Sequence, residues 1–339
     1  MKEYRICLTP KSGFEITLHS DTLFGAICWG IRTLFGEGKL LSVLNMFKTS
    51  PPFLLSSAFP WKGEHEKRTW YLPKPTLRPL SLADIKSIET KLRKPLEPYH
   101  TDKLGIIELM ERYKQFKKLK WIPVNAFRKV LEGGSERVLF IDYLDGLIRD
   151  LRFIESGIAQ KNRLDRLSYS TAGSGETFYT PDIGFRQTYG LYFLLKTADI
   201  DAYLKPVLKF LEDSGIGPNA RTGRNWFSLE IEEKPFLETT RGTSFITLSR
   251  YIGHDGIIPD ASWYQVVSIR SKVESRQEFA GEDVWKDRIT YITVGSMVTP
   301  KEKKDFYGSL VPIKKIAGTT IYQYGYAYPV WLGGGKNGV

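Results

Sequence analysis

Ser20-Asp-Thr-Leu-Phe-Gly-Ala-Ile-Cys-Trp-Gly-Ile-Arg-Thr-Leu-Phe35 places Leu23, Ile27, Ile31 and Leu34 on one helical face. Phe24, Cys28, Trp29 and Phe35 widen that face, so the spacing predicts a helix buried over much of its surface. Ser20 or Asp21 supplies the N-cap, and Gly36 and Gly38 end the helix. Ahead of it, Tyr4 to Leu8 reads as a short apolar strand. Thr9 to Ser12 turn it, and Phe14 to Leu18 continue the extended pattern. Behind it come a second helical piece from Leu40 to Phe47, Pro51-Pro52, and a strand from Phe53 to Phe59 that Pro60 breaks. A charged turn from Lys62 to Arg68 then leads into Trp70-Tyr-Leu-Pro-Lys-Pro75. Strand, helix and a strand pair open a βαββαβ unit, which sets the expected class as α+β and ferredoxin-like.

Residues 77–135 change character: they are rich in Lys, Arg and Glu, with helical patterning in Ile106 to Leu119 and again in Pro123 to Leu131. They read as a helical insertion. Val138 to Phe153 carries apolar residues at both spacings, and residues 160–190 form a turn-rich, basic and aromatic segment. Gly190 to Lys196 is a buried strand, Ile200 to Leu211 a helix, and Trp226 to Ile231 a strand. After Pro235 a second mixed unit begins. Its strands are expected at Ser244 to Ser249, Ser262 to Ser271 and Thr290 to Val294, with Tyr307 to Ile316 irregular and Thr320 to Trp331 a final aromatic strand pair. The expected division is therefore 1–235, holding the insertion and a hairpin at 160–190, and 236–339.

Lys and Arg number 49 against 38 Asp and Glu among 339 residues, a net charge of +11 that favours a polyanionic partner. Cys7 and Cys28 lie in apolar segments and read as reduced core residues. No Cys or His cluster has metal-ligand spacing, so neither a metal nor another cofactor is expected. No apolar run approaches the ~18 residues of a membrane span, and the chain starts on a strand-like run without a leader. The expectation is a cytoplasmic protein with no membrane partner.

Three segments carry candidate contacts. Gly215-Ile-Gly-Pro-Asn-Ala-Arg-Thr-Gly-Arg-Asn-Trp226 combines glycines that expose backbone N–H groups with the guanidinium forks of Arg221 and Arg224. Gly217, Asn219, Ala220, Thr222 and Gly223 complete the candidate set there. The loop lacks a Walker lysine and leads into a strand, so neither nucleotide motif fits it; a solvated turn is the plain alternative. The second segment interleaves Lys161, Asn162, Arg163, Arg166 and Arg186 with Tyr169, Phe178, Tyr179, Phe185 and Tyr189. Single-stranded RNA is held by such a pattern, cations along phosphates and aromatic faces under bases. Ordinary cross-strand aromatic pairs are the alternative. Third, the helix start at Ser20, Asp21 and Thr22 offers N–H groups to a phosphate, beside the ordinary reading of a plain cap. His19, just before it, is the one histidine weighed as a general base; no other catalytic residue is named.

Several of these blocks, taken in order, resemble a known family. Ser20 to Trp29 is similar to the first-helix motif of RAMP-superfamily CRISPR proteins. Phe53-Leu-Leu-Ser-Ser-Ala-Phe-Pro60, Tyr71-Leu-Pro-Lys-Pro75, Asn162-Arg-Leu-Asp-Arg166, Tyr189-Gly-Leu-Tyr-Phe193, the Gly215 to Gly223 loop, Gly295-Ser296 and Tyr324-Gly-Tyr-Ala-Tyr328 resemble blocks of one branch. That branch comprises the subunits that bind the CRISPR RNA (crRNA) 5′ handle in type III-A (Csm) effector complexes. The resemblance runs nearly end to end. Pro218-Asn-Ala-Arg221 departs from it, since relatives carry more glycine and small polar residues there. The resemblance implies two ferredoxin-like folds with a helical insertion and a β-hairpin thumb. It implies a non-catalytic subunit that grips the single-stranded 5′ handle of the crRNA. The implied protein partners are a large polymerase/HD-domain subunit and a backbone RAMP subunit. A second reading within the same superfamily is a metal-independent endoribonuclease that processes precursor crRNA, for which His19 is the candidate residue.

Overall fold

The computed structural model describes residues 1–14, 18–64, 67–92, 105–162, 165, 167–168, 170, 177–217, 223–237, 241–253, 256–273, 279 and 281–333. In chain order the elements are β1 (Lys2–Pro10), α1 (Ser20–Met46), β2 (Phe53–Leu55), β3 (Phe59–Lys62), β4 (Thr69–Pro73), α2 (Leu82–Leu92), α3 (Ile106–Lys117), β5 (Trp121–Pro123), α4 (Val124–Leu131) and α5 (Glu136–Leu144). They continue as β6 (Ile154–Asn162), β7 (Thr177–Phe185), β8 (Tyr189–Thr197), α6 (Leu204–Ser214), β9 (Phe227–Glu233), β10 (Phe245–Thr247), β11 (Val266–Ile269), β12 (Ile289–Ile292), β13 (Met297–Val298), β14 (Leu310–Ile316), β15 (Thr319–Tyr324) and β16 (Pro329–Trp331).

Seven strands form the main sheet, in the order β5–β4–β3–β8–β1–β9, with β2 also paired to β8. The pairings around β1 are antiparallel on both sides. Tyr4 to Leu8 are all buried, as a central strand covered on both faces requires. α1 and α6 pack together, with Val207 so close to Gly30 that a Cβ there would lie 2.6 Å from it. The predicted break in the first helix is real: Gly36 has φ 82° and ψ 171° inside α1, a conformation that costs a side-chain-bearing residue. The two helical pieces read from the sequence are the two arms of that kinked element.

The insertion contributes more than helices. α2, α3, α4 and α5 fold around Tyr113, Phe116 and Phe140, and the Tyr113 hydroxyl donates to Glu136 Oε1 at 2.6 Å. Between them β5 joins the sheet by pairing with β4. The segment starting at Val138, readable at either spacing, belongs at its start to α5. Pro60 does not break a strand. It lies in β3 opposite Leu191, and the expected single strand splits earlier, at Ser56 and Ser57. There Ser56 Oγ accepts from Leu194 N–H at 2.8 Å and Ser57 N–H donates to Leu248 O at 2.8 Å.

The second half departs further from expectation. Its described residues form a three-stranded sheet, β13–β10–β16, and two ribbons, β11–β12 and β14–β15. Their helical content is confined to 3₁₀ geometry, at Pro259–Ala261 and at Phe279. A second βαββαβ unit with two helices is therefore not formed among the described residues; the connections there are short and lack a helical apolar stripe. Tyr307 to Ile316, expected to be irregular, contains the strand β14, whose alternation is hidden by a register shift between Pro312 and Lys314.

The two halves share one core. Tyr324 and Tyr326 pack on Phe24 and Phe47 of the first half. Tyr324 Oη accepts from Leu55 N–H at 2.9 Å, and Tyr326 Oη donates to Phe47 O at 2.7 Å. Each such ring pair adds about 0.5–1.5 kcal/mol beyond the area it buries. Among the described residues no helix is long and apolar enough to cross a membrane.

Candidate nucleic-acid interface

β6 and β7 form a hairpin in continuous register from Ile154↔Phe185 to Asn162↔Thr177. Its foot is anchored. Phe14 and Ile183 exchange both backbone hydrogen bonds at 2.8 Å, and Arg186 N–H donates to Phe153 O at 3.0 Å. Phe185 meets Phe14 edge-on, with centroids 5.2 Å apart. Away from the foot the ribbon stands in solvent: Ile158, Phe178 and Tyr179 are exposed. Because side chains alternate across a ribbon, Phe178 shares a face with Lys161 opposite it and with Asp182 nearer the foot, while Tyr179 faces the other way.

The glycine loop returns to this foot. Gly217 (φ 86°) and Gly223 (φ 81°) flank residues 218–222, which lie outside the described residues, so Asn219, Ala220, Arg221 and Thr222 do as well. Ile216 N–H donates to Asn225 O at 3.2 Å, which closes the loop. Buried Asn225 in turn donates its N–H to Gly13 O at 2.9 Å. Arg224 forms an ion pair with Asp182 of β7 directly beside Gly13. A Cβ on Gly13 would come within 2.2 Å of the Asp182 carboxylate and 2.5 Å of the Arg224 guanidinium, so only glycine fits without moving the pair. The loop and hairpin, separate candidates in the sequence, therefore meet at one place.

Beside this junction runs a groove of about 700 Å³. Lys11, Arg68 and Arg186 line it together with the carboxylates Glu64 and Glu230, and Trp61, Phe185 and Tyr189 supply aromatic surface. Arg68 forks onto Glu230 at 2.6 and 3.0 Å and lies 4.4 Å over the Trp61 ring, which fixes its plane. Arg186 pairs with Glu155 at 3.0 Å, but both side chains are about half exposed or more, so that pair is weak and exchangeable. Lys11, Ser12, Gly13, Trp61 and Arg68 had not been singled out in the sequence. The signal for the first three is a basic, glycine-containing turn directly after a buried strand. The candidates Arg163, Arg166 and Tyr169 lie outside the described residues. Asn162 closes the described part of the hairpin, accepting from Thr177 Oγ1 at 3.2 Å.

The helix start is placed elsewhere. Ser20, Asp21 and Thr22 do not line the groove. Ser20 is buried, its N–H donating to Ser57 Oγ and its Oγ accepting from Arg250 N–H, each at 3.1 Å. Asp21 accepts from Arg250 Nη1 at 3.0 and 3.1 Å and from Gln323 Nε2 at 3.2 Å. The expected phosphate contact here is replaced by a junction with the second half: the Ser20 donor is taken and a carboxylate occupies the first turn. The N-cap position is His19, whose side chain makes no capping bond.

Burial, followed by the nearby Arg250 charge, lowers the His19 imidazole to about 4, against an opposing pull from Asp21. An imidazole held that low is a weak base at neutral pH. Between about 4 and 6.5 the unfolded chain takes up a proton that the folded chain refuses. The stabilisation is thus complete above about 6.5 and is lost as pH falls toward 4, on the order of 2–3 kcal/mol. Melting temperatures followed from pH 7 to 4 are expected to show this loss, with a shallower fall for His19→Gln. Equal slopes for both proteins would remove His19 as the cause.

Cys7, Glu230 and Glu232 form the one grouping with metal-ligand proximity among the described residues. Burial pushes the Cys7 thiol up to about 12, and Arg68 and Arg5 already pair with the two carboxylates. That arrangement is an ion-paired sheet face, and the chemistry of its donors does not suit a metal.

No family model matches the chain. The CRISPR system Cms protein Csm4 of Thermococcus onnurineus (strain NA1) is 24% identical over 333 residues, covering 95% of this chain and 94% of the relative. In fold, the chain is similar to one in the crystal structure of a Csm1–Csm4 cassette in complex with cA4, with TM-score 0.61 and 19% identity over 98% of both chains. It is also similar to a chain of the Csm3–Csm4 subcomplex of the type III-A CRISPR-Cas interference complex, with TM-score 0.57 and 18% identity over 97% of this chain and 98% of that one. The resemblance read from the sequence blocks agrees with these relatives.

Proposed function

We propose that this chain, a Csm4-type subunit of a type III-A CRISPR effector complex, grips the single-stranded 5′ handle of the crRNA and catalyses no reaction itself. The carrying observation is that the end of the glycine loop meets the hairpin foot through Arg224 and Asp182 beside Gly13, and that Gly13 also lines the groove carrying Lys11, Arg68, Arg186 and three aromatic rings. Guanidinium groups and ring faces in one groove, with a glycine-rich loop ending beside it, suit an unpaired strand. A net charge of +11 adds long-range attraction. The handle's phosphates follow Arg221, Arg224 and Arg186, with Arg163 and Arg166 on the hairpin side. The order β9–β1–β8–β3, with α1 and α6 packed together, supports a ferredoxin-like first unit ending near residue 235.

The protein partners in this reading are a large polymerase-domain subunit and a backbone subunit of the same superfamily. Similarity to chains from Csm1–Csm4 and Csm3–Csm4 assemblies supports them. Purified with a co-expressed large subunit, the protein is expected to carry short RNAs that share one fixed 5′ sequence; RNAs with random 5′ ends would sink the proposal. Exposed Phe178 offers a ring to a handle base, with Tyr169 as its companion. Phe178→Ala is expected to weaken handle binding by about 1–3 kcal/mol. Filter binding that shows no change would exclude stacking at this ring.

A further inference from the structure

We propose that a second cavity, on the insertion side of the main sheet, is a binding site for a phosphoryl group. The cavity has a volume of about 330 Å³ and is walled by Arg5, Arg68, Trp70, Asn125, Arg128 and Lys234. Among the described residues no carboxylate lines it. The ends of two guanidiniums are already committed: Arg5 pairs with Glu232 and Arg68 with Glu230. Those pairs are neutral as units, so the surplus charge comes from exposed Arg128 and Lys234.

A helix end adds to it. Val124 and Asn125, the first two residues of α4, line the cavity, and no side chain caps that end. Uncapped first-turn N–H groups and the helix dipole favour an anion there. The floor is built from the two paired guanidiniums. The Arg68 side chain is 5% exposed, yet its Nε is buried without a hydrogen-bond partner, and Arg5 Nε is in the same condition. Both nitrogens are shut off from solvent, so contacts to an anion come from the rim cations and the helix end. Arg5 also lies 3.9 Å over the Trp70 ring, which holds its plane fixed.

The shape suits a phosphoryl group with part of its nucleoside, at the small end of ligand cavities. Two sources share this chemistry: a free nucleotide, and the phosphorylated end of an RNA strand. Arg68 lines both this cavity and the groove at the hairpin foot, so a strand leaving the groove has a route to it. The assignment does not depend on the groove holding RNA.

The test compares the parent protein with Arg128→Ala/Lys234→Ala, two exposed positions whose replacement is expected to leave the melting temperature unchanged. The probes are a fluorescent ATP analogue and short single-stranded RNAs with and without a 5′-phosphate. Inorganic phosphate serves as competitor. The expected result is a loss of about tenfold or more in affinity for a phosphate-bearing probe. Loss for the ATP analogue identifies a free nucleotide; loss confined to 5′-phosphorylated RNA identifies a strand end. An Arg221→Ala/Arg224→Ala protein should keep its affinity for the ATP analogue, which separates this site from the handle groove. Affinities within twofold of the parent for every probe, no competition by phosphate, or no binding by the parent would each overturn the assignment.

Discussion

Arg221→Ala combined with Arg224→Ala is expected to weaken binding of single-stranded guide RNA by about 10- to 100-fold at moderate salt. The magnitude follows from removing two guanidinium groups, each able to make a charge-assisted, forked contact with phosphate. Two lost phosphate contacts on a single strand should also flatten the slope of log affinity against log salt by about 1.4. Arg224 is already oriented: Asp182 holds it beside Gly13, with its side chain 14% exposed. That pair is a resident competitor for phosphate, so Arg224→Ala removes a contact that is preorganised and partly neutralised, while Arg221 is included for its place in the loop sequence. Anisotropy titrations over a salt series separate the outcomes. Unchanged affinity and slope for the double variant would place the loop away from the RNA.

Asp21→Ala is expected to destabilise the protein by about 3–5 kcal/mol, the larger effect on folding. The Asp21 side chain is 6% exposed and that of Arg250 16%, so the pair sits largely out of solvent. Removing the carboxylate leaves Arg250 with an uncompensated charge and Gln323 with an unused donor. Lys286 is part of the same chain of contacts, donating to Gln323 Oε1 at 2.9 Å, and burial lowers its ammonium pKa. The Asp21 carboxylate also offsets the partly buried Lys286 charge, which its loss would leave uncompensated. Asp21→Asn keeps an acceptor and should cost less. Denaturant unfolding of the two variants measures the difference, and a loss below about 1 kcal/mol for Asp21→Ala would show that solvent reaches the pair.

What the sequence disclosed follows a physical line. The helix at Ser20 to Phe35, its break at Gly36 and the strand at Tyr189 to Thr197 depend on local periodicity and one glycine, so they are readable. The glycine loop and the basic aromatic hairpin were legible as separate signals for the same reason. Their meeting at Gly13 was not, because it depends on the register of β1 against β8 and β9 and on the Phe14–Ile183 bridge, all non-local pairings. Asp21 shows the same limit. A short acidic residue at a helix start reads as a cap, and only the arrival of Arg250 from 229 positions away makes it a buried partner. In the second half, short strands separated by turns carry too little periodicity to distinguish β14 from an irregular run.

The shared core has a temporal side. Tyr324 and Tyr326 complete the aromatic packing around Phe24 and Phe47, and the hydrogen bond from Leu55 to Tyr324 spans 269 positions. A chain leaving the ribosome N-terminus first therefore exposes these phenylalanines, and the open N–H of Leu55, until Tyr324 and Tyr326 have been synthesised. Contacts of such length are slow to find, because the loop between them must be closed before they repay the entropy lost. The first half is thus born incomplete, its aromatic packing left open until the strand that carries Tyr324 arrives.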